Sequence, residues 1–159
     1  MAVGTVPNRR LNDTARRVRD ELGKGQETLR KASVSFRVDN VARTQWAQIL
    51  FPDVDIRVVA IVVTSAVKLT GSDANTLDVL KSGGSDEPLI TQFDPDTLTA
   101  KTPSTQTLLA AANNVAAATP ILAKLVNGST GAGAAAAPTD VTVEVSYILA
   151  DDARSYGAV

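Results

Sequence analysis

The feature that most constrains this chain is its alternation of β-branched residues at a period of two. It is clearest near the C-terminal end. There Val141, Val143, Val145, Tyr147 and Leu149 face one way, and Thr142, Glu144, Ser146 and Ile148 the other. Only an extended strand puts every second side chain on one face, so this segment reads as a half-buried β-strand. The same period marks Val34, Phe36 and Val38 against Ser33, Ser35, Arg37 and Asp39. Asp55 to Leu69 is densest in Val and Ile, with apolar residues on both faces in its middle, which predicts a central strand of a sandwich.

Further strands are expected at Gln45 to Phe51, Thr76 to Lys81, Leu89 to Phe93, Thr97 to Lys101 and Ile121 to Val126. Turn chemistry separates them: Pro52-Asp53, the polar run from Thr70 to Asn75, Ser82-Gly83-Gly84-Ser85 and Asp94-Pro95-Asp96. Thr105 to Ala118 is rich in alanine but interrupted by Asn113-Asn114 and followed by Pro120. It reads as a short helix or an irregular crossover. Asn127 to Pro138 is an uncharged Gly/Ala/Ser/Thr loop. About eight short strands with frequent turns predict a mainly β chain, an antiparallel jelly-roll-like β-sandwich.

The first 31 residues differ in character. They hold eight Lys and Arg against four Asp and Glu, a charge of +4, so the remainder carries −5 within a total of −1. Leu11, Ala15, Val18 and Leu22 recur at helical spacing, with Asn12 or Asp13 as a cap and Gly23 and Gly25 as the stop. The stripe is too narrow to hold a helix alone, which predicts ordering against a partner or the domain. The expected organisation is a basic arm with one short helix at 1–31, a sandwich at 32–152 and a polar tail at 153–159. A basic arm on an acidic body suits an acidic protein surface or nucleic acid; a solvated helix of mixed charge is the plainer reading. The interleaved acids and the lack of aromatics favour a protein surface.

Histidine and cysteine are both absent. Imidazole bases, Ser-His-Asp triads, thiol nucleophiles, disulfides and thiolate or imidazole metal sites are thereby excluded. The acid pairs Asp53/Asp55 and Asp94/Asp96 lack the Gly and Glu of a calcium loop and read as turn formers. Gly128 to Gly133 lacks the Lys-Ser/Thr and receiving helix of a phosphate loop. Lys68, Lys81, Lys101 and Lys124 read as guards at sheet edges. Trp46, the single tryptophan, could stack a sugar or base but reads as core. No run is long and apolar enough to cross a bilayer, and the N-terminus lacks a signal-peptide pattern. The expectation is a chain made in a cytoplasm, neither enzyme nor membrane protein, with no cofactor.

Three stretches resemble the small β-sandwich proteins that decorate or cement tailed-bacteriophage heads. They are Phe51-Pro52-Asp53-Val54-Asp55-Ile56-Arg57-Val58, Thr76-Leu77-Asp78-Val79, and Val141 through Asp151. The resemblance lies in pattern, across roughly the segment from Trp46 to Asp152. It implies a virion protein on the capsid surface, a homotrimer that clamps neighbouring coat subunits through an N-terminal extension, and no catalytic residue. In that reading Arg9, Arg10, Leu11, Arg16, Arg17, Val18, Arg19 and Leu22 would contact the major capsid protein. Alternatives are a tail or head-fibre module that binds host carbohydrate, and a nucleic-acid-binding accessory protein.

Overall fold

The computed structural model describes residues 29–39, 41–69, 75–110, 113–128 and 139–150. They form nine strands: β1 (Arg30–Val38), β2 (Arg43–Leu50), β3 (Ile56–Ser65), β4 (Thr76–Ser82), β5 (Asp86–Pro88), β6 (Ser104–Gln106), β7 (Asn114–Val115), β8 (Ile121–Asn127) and β9 (Thr139–Leu149). One sheet has the order β1-β9-β3-β6, with β7 also on β3; the other runs β2-β8-β4-β5. Every pairing is antiparallel.

The pairing is nested. β1 joins β9, β2 joins β8, β3 joins β6 and β7, and β4 joins β5. The chain therefore behaves as one long antiparallel hairpin rolled into two layers, the jelly-roll-like sandwich that the alternation predicts. Inward residues of both sheets share one core, including Phe36, Ile61, Val63, Leu77, Val79, Ile121, Leu125, Val141, Val143 and Val145. With few aromatics to use, this core is filled by closely fitting aliphatic side chains.

β3 is central, as its composition predicts, but its two-faced apolar pattern has another cause. The register with β9 shifts between Val58 and Ala60, which leaves Val59 as an extra residue. Such a bulge reverses the parity of the strand. Ile56 and Val58 point inward before it, Ile61, Val63 and Ser65 after it, and Val59 is exposed. β2 carries a similar shift between Gln48 and Leu50, so that Ile49 and Leu50 both reach the core.

Two expectations fail, and one left open is settled. Thr97 to Lys101 is not a strand: Pro95–Thr97 is a 3-10 turn whose start is capped by Asp94, which accepts from the Asp96 N–H at 2.9 Å. Lys101 then adopts φ 59°, which no strand residue does. Leu89 to Phe93 forms only isolated bridges, Ile90 with Leu108 and Phe93 with Leu77. The alanine-rich stretch is the irregular crossover rather than a helix, and it contains β7. The uncharged loop at 129–138 and the helical stripe at 11–22 lie outside the described residues. Arg30 and Lys31, counted with the arm by charge, are the first residues of β1.

Candidate interaction surface

All eight arm residues singled out by sequence, Arg9, Arg10, Leu11, Arg16, Arg17, Val18, Arg19 and Leu22, lie outside the described residues. The structure does place the root from which they extend. Arg30 pairs with Tyr147, so β1 begins where β9 is ending. Lys31 crosses to Glu144 in a 2.8 Å ion pair. At the far end of β9 the Ala150 N–H donates to the Asp55 carbonyl. The first and last described residues, Leu29 and Ala150, thus lie at one end of the sandwich.

That end is built from the loops β2–β3, β4–β5 and β7–β8. They are fastened by main-chain and carboxylate bonds. The Ala118 N–H donates to the Pro52 carbonyl, the Ser82 N–H to Pro120, and the Ala117 N–H to Asp55 Oδ1 at 2.9 Å. Phe51 and Val54 stand on this frame, 50% and 45% exposed, beside exposed Ala116, Ala117 and Ala118. Next to them an open concavity of about 480 Å³ is lined by Asp55, Ile56, Arg57, Asn114, Val115, Ala116 and Ala150. The Arg57 side chain enters no hydrogen bond or ion pair among the described residues. Sequence reasoning used Phe51 to Val58 only as a pattern and missed this grouping. Two large apolar residues flanking Pro52-Asp53 in a turn were the available signal.

The opposite end is tied by polar side chains. Asn127 is buried, and its Nδ2 donates to the carbonyls of Asp39 and Val41 at 2.7 and 2.8 Å. Buried Asn75 accepts from the Gly128 N–H and donates through Nδ2 to Asp96 Oδ1 at 2.7 Å. Asp96 and Asp94 therefore hold loops, as Asp55 does at the other end, in keeping with their reading as turn formers.

The two outer faces differ. That of the β1-β9 pair is polar and charged, with Ser35 Oγ and Thr142 Oγ1 hydrogen-bonded at 2.8 Å and Lys31 paired with Glu144. That of the β2-β8-β4 sheet carries Trp46, which is 52% exposed and not in the core. The correction follows from parity. Ala47 and Ile49 take the inward positions of β2, which sends Trp46 outward with Gln48. Lys124 lies opposite Trp46 with its Nζ 5.4 Å from the ring centroid, an exposed cation–π contact. Lys124 is thus on an interior strand and guards no edge. Asp78, opposite Lys124, accepts from Gln92.

No family of known proteins and no curated protein matches the chain in sequence. Among solved structures, a chain of the capsid asymmetric unit of the cyanophage Pam1 has a TM-score of 0.52 at 17% identity, over 77% of this chain and 85% of that one. A chain of the acid-stable capsid of the Helicobacter pylori bacteriophage KHP30 has a TM-score of 0.41 at 13% identity, over 73% and 94%. A chain of the infectious bursal disease virus Gx strain has a TM-score of 0.41 at 11% identity, over 77% of this chain but 32% of that one. At these identities the likeness speaks for the fold alone.

Proposed function

We propose that this chain is a structural protein of a phage particle. It binds the outer surface of the capsid, as a homotrimer, and its N-terminal arm reaches onto neighbouring coat subunits. The observation that carries this is the Pam1 likeness. It spans 85% of that chain, so the sandwich corresponds to a nearly whole capsid-associated chain and not to an insertion within a larger one. Sequence adds support, because a chain without histidine or cysteine is poorly equipped for chemistry, while clamping needs only surface and symmetry. The arm, residues 1–28 with six basic residues against four acidic ones, would order on an acidic patch of coat protein as it binds.

The test uses capsids assembled without this chain. Full-length protein is expected to cosediment with them, and a variant lacking residues 1–28 is expected to lose at least about tenfold in affinity, about 1.4 kcal/mol. Equal binding by the two would remove the arm from the mechanism. A native mass equal to three chains is expected for the free or bound protein; a monomer in both states would end the trimer reading.

Trp46 favours a second reading. An exposed tryptophan beside Lys124, Asp78 and Gln48 on a sheet face could stack a sugar ring, with the polar groups bonding its hydroxyls. Glycan binding abolished by Trp46→Ala would favour a carbohydrate-binding fibre module. Nucleic-acid binding predicts an affinity that falls steeply with salt.

A further inference from the structure

We infer that the sandwich meets its partner end-on, through the end formed by the β2–β3 and β7–β8 loops, with Phe51 and Val54 as apolar contacts and Arg57 as the receptor for an acidic side chain of the coat. This rests on the capsid-binding reading and adds the orientation that reading lacks. Three observations converge on it.

The first is where the described chain begins. Residues 1–28 join the structure at Leu29, directly before the Arg30–Tyr147 pair, at this end. A 28-residue segment reaches on the order of 90 Å when extended, so an arm rooted here can spread over several coat subunits. If the opposite end faced the shell, the arm would first have to run the length of the sandwich.

The second is the apolar exposure. Phe51 and Val54 project from a loop that is itself braced, through Pro52 and Asp55, against Ala118 and Ala117. Large apolar groups on a fixed frame lose little conformational entropy on docking, which suits an interface anchor.

The third is charge. Arg57 lines the adjoining concavity, and its side chain has no acceptor among the described residues, while Oδ1 of the neighbouring Asp55 accepts from the Ala117 N–H. A guanidinium left free in a recess can take a carboxylate through two parallel hydrogen bonds. The arm carries the same sign of charge, so both elements ask for an acidic partner surface.

The test compares full-length wild type with three variants on capsids assembled without this chain: Phe51→Ser/Val54→Ser, Arg57→Glu, and Val41→Ser at the opposite end. The first two are expected to weaken binding by about tenfold or more, and Val41→Ser by less than about twofold. Amide exchange on the wild-type complex needs no substitution, and is expected to show protection at residues 51–55 and 116–120. Protection confined to residues 39–43, or loss of binding in Val41→Ser alone, overturns the orientation and leaves the capsid-binding reading intact. Equal binding by all three variants also overturns it. Failure of the wild type to bind any capsid overturns both.

Discussion

Asn127 shows how a single side chain can hold an end of this fold. Its amide nitrogen satisfies two carbonyls, Asp39 and Val41, inside a site that is 1% exposed. Asn127→Asp removes both donors and sets a carboxylate against carbonyl oxygens. The expected loss is about 3 kcal/mol, measured as a lower denaturant midpoint with an unchanged slope. Leu125, fully buried two residues earlier on the same face of β8, is held by packing instead, and Leu125→Ala should cost roughly 2–5 kcal/mol. Trp46→Ala should shift stability by less than about 1 kcal/mol, because the ring is half exposed and its Lys124 contact is solvated. A large loss there would mean that the ring is buried after all. The average burial of tryptophan misled the sequence reading at this position, since no residue type carries its own strand parity. Gln48, two residues on, carried the better signal.

At the scale of elements, the bulge at Val59 sets the phase of β3. Deleting Val59 would remove the bulge and leave Val58 opposite Tyr147 and Ala60 opposite Ser146, so that Ile56, Val58 and Ile61 all keep their inward places in a regular alternation. The expected outcome is that cooperative unfolding is kept, with stability changed by less than about 2 kcal/mol, followed by circular dichroism and denaturant titration. The β4–β5 turn depends on backbone freedom. Gly84 has φ +112° with nothing near its missing Cβ, so Gly84→Ala is destabilising through strain alone, by about 1 kcal/mol. The strands with long alternation, β1, β4, β8 and β9, were legible because local sequence repeats the inward and outward choice several times. β5, β6 and β7 were not. Strands of two or three residues hold no period, and they exist only because β3 and β4 offer edges to pair with.

For the whole molecule, the nested pairing joins the most distant parts of the described chain; Lys31 and Glu144 are 113 residues apart. Long-range pairing must close large loops before contacts reward it, so refolding is expected on the millisecond-to-second scale in stopped-flow experiments. The amino-acid sequence by itself determined the class of structure and the absence of thiol and imidazole chemistry. Both are properties of residue type and of a period that each strand carries within itself. Tertiary structure alone decided that Trp46 faces outward, that the Arg57 side chain has no partner among the described residues, and that Phe51, Val54 and the start of β1 share one end. Those facts depend on which strands pair and in what register, and pairing is settled between segments far apart in the chain, where no local pattern can record it.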